Sequence, residues 1–495
     1  MTRRANFVVI SIAIALATAV PFLPVLGNGW LDWDDPETVT ENTHLGSLSA
    51  ENLAWMLTTF HMGHWHPLTW LSHALDRQVF GLSAFGSHLT NLLLHTLNAV
   101  LAGQILLHLM PGRTLAAALG ALFFAIHPMR VESVAWATER RDVLSGACLL
   151  TATLLYLKGR TLPCGLAYAA ACLAKAGGIG FPIVLLAIDV GVHGKRLSDK
   201  RTWTPKIPFA VLAIATAWVA GRAQASAGAL VGYDAIGFLD RCRQAVYGLC
   251  WYARETAWPW PLSPIHERPA ELPFAETRIW LSFVVLAIAA AVIAAAGKRR
   301  TIAVACAATY VAFLAPVLGF FQSGQQLVAD RYGYLACFPF AILAARIAQR
   351  RLWAVALAAL ILALAGVTAW YGTLWKDTPT LMEHAVAIDP ESNTANFFVG
   401  SARLAAARSA HGQNRLAEAR ELATAAQTHF VRALIRFPFD VIALTELGNA
   451  RAFRGDLRGA AEAWQRAFAL RPDPTSNAAL NLEDLKRFHP ELFRK

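Results

Sequence analysis

Apolar residues in this chain fall in runs. Runs at 7–26, 87–109, 114–128, 142–158, 163–176, 177–193, 207–222, 279–296, 302–321, 332–349 and 352–371 are separated by short polar stretches. A helix of roughly 20 apolar residues crosses about 30 Å of hydrocarbon. The pattern therefore predicts about 11 membrane spans, several of them short. Between the first two runs lies the long loop 27–86, which carries its own helical punctuation. Ser49-Ala50-Glu51-Asn52 precedes Leu53, Trp55, Met56 and Phe60, and a second piece runs from Pro67 to Phe80. Both mix aromatic and apolar residues, as helices at a membrane interface do. The segment 237–258 contains Asp240, Arg241, Arg243, Arg254 and Glu255. It is expected to lie at the interface rather than to span.

After Trp375 the pattern changes to that of a soluble helical region. Leu444, Leu447, Gly448, Ala460, Trp464, Ala467 and Pro472 fall at the spacing of a 34-residue tetratricopeptide repeat. Ala426, Phe430, Ala433 and Pro438 hold the same late positions one period earlier. Met382, Ala385 and Pro390 lie 14 residues further back than one more period, which places an insertion between Leu404 and Arg420. The expected fold is all-α: a polytopic membrane helix bundle over 1–378, then a tetratricopeptide-repeat α-solenoid over 379–495 with two to three repeats. Such arrays form concave surfaces for peptides or proteins.

Composition supports the membrane reading. The chain is 56% hydrophobic and 16% charged, against roughly 25% charged in an average soluble protein. The net charge of +11 does not require nucleic acid, because there is no basic stripe or reader motif. Arg3 and Arg4, Arg113, Lys158 with Arg160, Lys195 to Lys206, Lys298 to Arg300, and Arg346 to Arg351 all fall on one side of an eleven-span arrangement. Positive loops stay in the cytoplasm, so the N-terminus is expected there and the repeats on the outer side. Thr2-Arg3-Arg4 followed by Phe7 to Leu26 imitates a signal peptide. The apolar stretch is long and no small-x-small site follows, so it reads as a retained helix. The seven cysteines show no CxxC and lie mostly in apolar runs, as small core residues do.

The candidate chemistry gathers at the outer ends of the runs. Asn28-Gly29-Trp30-Leu31-Asp32-Trp33-Asp34-Asp35-Pro36 follows the first run. Three carboxylates in four positions cannot sit unpartnered in hydrocarbon. Asp34 and Asp35 are candidates for a base beside a lipid-borne substrate, against the alternative of a helix-end cap or turn at Pro36. Arg130, Arg140 and Arg141 flank the second outer connection with Glu132, Glu139 and Asp142. Guanidinium forks bind phosphate bidentately, although such residues also close turns as ion-pair networks. Lys175 beside Gly177-Gly178, and Arg331 with Tyr332, are further candidates for phosphate or sugar. The alternatives are a snorkelling lysine and an interfacial anchor. His61, His64 and His66 have the spacing H-x-x-H-x-H, but no cysteine or strong carboxylate stands beside them, which favours polar packing over a metal site. His88, Asn91 and His95 share one helical face and are expected to bond to neighbouring helices.

Several stretches taken together resemble a known family. They are Trp33-Asp34-Asp35-Pro36 with Asn42, and Trp65-His66-Pro67-Leu68-Thr69-Trp70-Leu71-Ser72 followed by Phe80-Gly81-Leu82. They continue with His88 to His95, His127-Pro128-Met129-Arg130-Val131-Glu132-Ser133-Val134-Ala135-Trp136 and Glu139-Arg140-Arg141-Asp142-Val143-Leu144-Ser145. Ala174-Lys175, Pro182, Asp189 and Asp330-Arg331-Tyr332-Gly333-Tyr334-Leu335 complete the set. The chain resembles the transmembrane and tetratricopeptide-repeat proteins, including bacterial members. That family is similar to C-type (GT-C) glycosyltransferases related to protein O-mannosyltransferases. The resemblance implies a GT-C-like enzyme of a bacterial inner membrane, with the N-terminus cytoplasmic and the repeats periplasmic. It would move a sugar from a polyprenyl-phosphate donor, by inversion, to a hydroxyl of a protein Ser or Thr or of an envelope glycan or lipid. Asp34 and Asp35 would be catalytic. His66, Arg130, Glu132, Arg140, Arg141, Asp142, Lys175, Arg331 and Tyr332 would bind substrate. The partners implied are the lipid-linked sugar, membrane lipids, and a protein or peptide acceptor held by the repeats. No cofactor beyond the donor is implied, and a divalent metal is left open. Two departures stand out: Asp330 replaces the Glu expected before Arg-Tyr, and the Pro expected near Tyr-Leu is displaced to Pro339. The competing expectation is a non-enzymatic membrane scaffold whose repeats are the working part. A transporter fits less well, since no inverted repeat is evident.

Overall fold

The computed structural model describes residues 3–268, 277–321 and 324–493. No β-strand is among the described elements. The chain divides into two compact units: Met1–Leu262 with Leu272–Asp377, and Ser263–Glu271 with Thr378–Lys495. The sequence pattern gave no sign that 263–271 belongs with the repeats.

The first unit opens with α1 (Arg3–Phe22) and the outer loop, which holds α2 (Ala50–Thr58) and α3 (Pro67–Phe80). Then come α4 (Ala84–Leu109), α5 (Thr114–Ile126), α6 (Val131–Ala135), α7 (Arg140–Leu157), α8 (Thr161–Ala174) and α9 (Phe181–Gly191). The short α10 (Lys200–Trp203) leads into α11 (Ile207–Ser226) and α12 (Phe238–Ala257). The unit closes with α13 (Thr277–Ala295), α14 (Arg300–Leu314), α15 (Gly333–Ala336), α16 (Phe338–Ile347) and α17 (Arg351–Leu374).

The unit is a multi-pass membrane protein, but its eleven apolar runs are not eleven full-length helices. Among the described residues, six helical stretches are long and apolar enough to cross: Phe7–Gly27, Ala84–Leu109, Lys200–Ser226, Thr277–Ala295, Arg300–Val317 and Arg351–Leu374. Thr114–Ile126 with Pro128–Ala135 makes a seventh if that pair, bent by 56°, is one span. Polar breaks shorten the others. α8, Ala176–Gly191 and α16 are apolar but short, and α7 begins on Arg140, Arg141 and Asp142. α12 is not among the candidate spans. It buries Arg241, whose guanidinium donates to the carbonyls of Val231, Gly232, Ile236, Gly319 and Phe320.

α4 packs against α1, α5 and α7 and carries a buried polar stripe at His88, Asn91, His95 and Asn98. A polar group buried without a partner costs roughly 1–3 kcal/mol, so each is tied to another segment. His88 Nε2 meets Gly29 O at 3.2 Å. Asn91 Nδ2 donates to Val134 O and Trp136 O at 3.2 and 3.1 Å. His95 Nδ1 and Asn98 Nδ2 both meet the Tyr334 hydroxyl, at 2.7 and 2.8 Å. The stripe therefore registers α4 against the outer loop, α6 and α15. Where the turn Ala176–Gly180 crosses α14, a Cβ on Gly180 would lie 2.0 Å from Ala312 O, so no side chain fits there.

The second unit is a series of antiparallel helix pairs: α18 (Thr378–Ile388), α19 (Asn393–Gly412), α20 (Leu416–Arg436), α21 (Val441–Phe453), α22 (Leu457–Leu470) and α23 (Asn477–Phe488). The 34-residue period appears in α21 and α22, where Trp464 packs onto Gly448; a Cβ there would lie 2.3 Å from Trp464 Nε1. α19 and α20 have 20 and 21 residues against 13 and 14 for α21 and α22. Both extensions meet at the α19–α20 turn, and they absorb the extra residues that break the period between Leu404 and Arg420. Glu267 also belongs to this unit. Its carboxylate accepts from Asn393 N at 2.8 Å and Thr394 N at 2.7 Å, at the start of α19. Arg436 Nη1 lies 3.2 Å from the same carboxylate.

Candidate active site

The acidic stretch after α1 is held at five points. Asn28 Nδ2 donates to Gly372 O at 3.0 Å, Gly29 N donates to Lys376 O at 2.8 Å, and Gly29 O meets His88. Trp33 stacks on Trp136 with ring centroids 4.5 Å apart. The fifth point is Asp35, which is fully buried. Its Oδ2 accepts from Leu31 N at 2.9 Å, and its Oδ1 accepts from Thr138 N at 3.0 Å and Thr138 Oγ1 at 2.7 Å. Burial pushes the Asp35 carboxyl up to about 6 despite those three donors.

The two neighbouring aspartates thus have different surroundings. Asp35 spends its oxygens on clasping the 136–139 turn. Asp34 is only partly buried, and no described residue donates a hydrogen bond to its carboxylate. Burial raises its pKa, while the guanidiniums of Arg141 and Arg331 pull it back down. An accessible carboxylate of raised basicity beside cations is what a general base needs.

Beside Asp34 lies a cluster of charges centred on Glu139. Arg141 donates to Glu139 Oε1 through both Nε and Nη2. Lys175 Nζ lies 3.4 Å from Glu139 Oε2 and donates to Asp142 Oδ1. Arg331 Nε lies 3.3 Å from Glu139 Oε1, while Arg331 N and Nη1 donate to the two oxygens of Glu132. Burial alone would raise the Glu139 pKa, but Arg141, Lys175 and Arg331 together hold it well below its ordinary value. Donors remain for a further anion: among the described residues nothing accepts from Arg141 Nη1, and the Lys175 side chain is 22% exposed.

The cluster opens on a cavity of about 60 Å³ whose polar wall includes Asp142, Lys175, Arg331 and Tyr332. Its other wall is apolar and includes Leu149, Phe313 and Leu335. The same three residues also line a second, apolar cavity of about 100 Å³ running along α7, α9, α14 and α16. Cation-rich walls thus pass directly into a hydrocarbon-lined path.

Three residues named from sequence do not line the cavity. Arg140 is a candidate phosphate ligand by sequence, with Arg130 and Arg141, but it is fully buried. It donates to Asn91, Ser72, Asp76 and Ser87, and so braces α3 and α4. Arg130 is buried as well; its Nε donates to Phe124 O at 3.2 Å and its guanidinium faces the Phe124 and Tyr334 rings. Neither arginine lines the cavity. His66 is buried against Trp70, at 4.3 Å between rings. Both His66 and its neighbour His64 feel Arg141 and Glu139, but His64 also feels Lys175 and Arg331, and burial with those cations holds its pKa down to about 3. His64 therefore presents a neutral ring to the cluster. The H-x-x-H-x-H spacing marked it, but nothing in sequence ranks it above His66. Glu139 lay within a recognised motif, and its central position became evident only once Arg331 packed against it.

No protein-family model matches the chain. It is 39% identical over 94 residues to protein O-mannosyl-transferase Tmtc1 of Drosophila melanogaster, covering 19% of this chain and 11% of that one. It is 31% identical over 148 residues to Tmtc2 of the same organism, covering 28% and 16%. Protein O-mannosyl-transferase F38B6.6 of Caenorhabditis elegans is 24% identical over 192 residues, covering 35% and 27%. The relatives are Tmtc-type protein O-mannosyl-transferases. The chain spans only about a tenth to a quarter of the length of these Tmtc-type relatives. Among solved structures, ArnT from Cupriavidus metallidurans bound to undecaprenyl phosphate aligns over 98% of this chain and 89% of that one. Its TM-score is 0.38 at 14% identity, too distant to inform the site.

Proposed function

We propose that the chain is an inverting membrane glycosyltransferase that moves a sugar from polyprenyl phosphate to a hydroxyl acceptor. The observation that carries this reading is the cavity itself: Lys175 and Arg331 on one wall, hydrocarbon on the other, and Asp34 beside the same cluster. A phosphate with a long apolar tail is the ligand such a wall suits. The relatives' names support the same class of reaction.

In this reading the acceptor oxygen attacks the anomeric carbon and its proton passes to Asp34. The bond between that carbon and the phosphate oxygen breaks, and polyprenyl phosphate leaves against Arg141, Lys175 and Arg331. Base and leaving group act from opposite faces of the sugar, which inverts the anomeric centre. The cations stabilise charge that grows as the bond breaks. Asp35 acts as a positioning residue through Thr138. The acceptor is a protein Ser or Thr or an envelope glycan or lipid, and the repeats offer a surface on which a polypeptide acceptor would dock. The basic clusters favour a cytoplasmic N-terminus and a periplasmic site in a bacterial inner membrane.

The test is transfer from a polyprenyl-phosphate sugar by the purified full chain. Removing a general base costs roughly 10²- to 10⁴-fold, so Asp34→Asn is expected to lose at least 100-fold in turnover while still binding the donor. Turnover in Asp34→Asn within a few-fold of wild type would overturn the assignment.

A further inference from the structure

The far end of the bundle holds a third cavity, which the reaction does not use. α4 runs away from the carboxylate cluster and α17 runs back toward it, since His88 and Gly372 lie at its edge while Met110 and Arg351 lie at the opposite ends. There, between the first turns of α5 and α17, is a cleft of about 490 Å³, much roomier than the cavity of about 60 Å³ beside the cluster. Ligand pockets commonly fall between roughly 300 and 1,000 Å³.

The cleft exists because small residues line it. Ala116, Ala348, Ala354 and Ala358 hollow out the floor, and Leu115, Leu119 and Val355 make its sides. Below it α5 and α17 close again on Ile126 and Ile361. At the mouth stand Arg113 and Arg351, both exposed, with Gln349 between the two turns and bonded to Met110. No acidic residue lines the cleft, and neither arginine makes an ion pair with a described residue. Each also stands at the N-terminal end of its helix, where the helix dipole already disfavours a cation. The mouth is thus doubly positive at the headgroup level, while the interior is hydrocarbon at the depth of the first acyl carbons.

We infer that this cleft binds an anionic phospholipid, its phosphate between Arg113 and Arg351 and one acyl chain over the alanine floor. Charge complementarity selects the headgroup, because basic pockets between membrane helices attract anionic lipids. The apolar depth selects a lipid over a free anion. A zwitterionic lipid fits the floor equally well but brings an ammonium to the arginines.

Native mass spectrometry of the full chain in detergent tests this, with dioleoyl-phosphatidylglycerol and dioleoyl-phosphatidylcholine added at equal concentration. One phosphatidylglycerol is expected to be retained at least five-fold more than phosphatidylcholine. The excess is expected to vanish in Arg113→Ala/Arg351→Ala and to persist in Arg113→Lys/Arg351→Lys, with unchanged melting temperatures. Ala354→Leu, which fills the floor, is expected to reduce retention of both lipids. Equal retention of the two lipids in wild type, or an excess that survives the double alanine change, would overturn the inference. So would displacement of the lipid by 10 mM inorganic phosphate, which would mark a bare anion site.

Discussion

Asp34 and Asp35 are adjacent, yet their environments are set by groups far apart in the chain. Thr138, which ties down Asp35, is 103 residues away. Sequence could therefore mark the pair but not divide the roles between them. The same holds for Arg140 and Arg141, one locked to Asp76 and the other to Glu139. Two pH effects follow. Asp34 must be ionised to accept a proton and its pKa is raised above 3.8, so transfer is expected to fall on acidification before an ordinary aspartate would protonate. A pH profile of kcat, compared with that of Asp34→Glu, checks this. Asp35 titrates near 6 when folded against 3.8 when unfolded. The folded state holds the extra proton between those values, so the stability Asp35 contributes is full below the lower value and is lost as pH rises to the upper one. Relative to Asp35→Asn, wild type is expected to lose on the order of 3 kcal/mol between about pH 4 and 6, read by thermal unfolding in detergent. A third expectation concerns Arg331, whose fork spans Glu132 and Glu139. Lysine cannot make both contacts, so Arg331→Lys is expected to raise the donor KM roughly ten-fold.

At the level of elements, the helices were legible but the shape of the breaks between them was not. The apolar runs located nearly every helix of the bundle, because burial in lipid leaves a long uninterrupted signature. The pattern marked a connection between 128 and 142 and a junction at 176–177, but gave no sign of the short helix and 3₁₀ turns that shape them. Those breaks hold Glu132, Glu139, Arg141 and Lys175. Polar groups interrupt hydrophobic helices where a site needs them, so irregular backbone and chemistry coincide. The polar face of α4 was visible from its spacing, and its partners required the fold. In the repeats, the lost period between Leu404 and Arg420 is a pair of longer helices rather than an inserted loop.

For the molecule as a whole, the enzyme and scaffold readings predict opposite results. If the repeats alone act, deleting 379–495 removes function and changing Asp34 does nothing. If the bundle is catalytic, Asp34→Asn is silent in folding and severe in transfer. Measuring both variants in one complementation assay separates the two.

Glu267 bears on how the protein can be dissected. A fragment beginning at Thr378 leaves two backbone amides at the head of α19 without their carboxylate, while Arg436 keeps only its fork onto Asp389. The loss of a comparable helix cap costs roughly 0.5–2 kcal/mol. Anyone transplanting these repeats into another host would have to bring two discontinuous pieces of polypeptide, since the distal one alone keeps the Ser392 cap on Ala395 N but loses the partner of the first two amides of its first long helix.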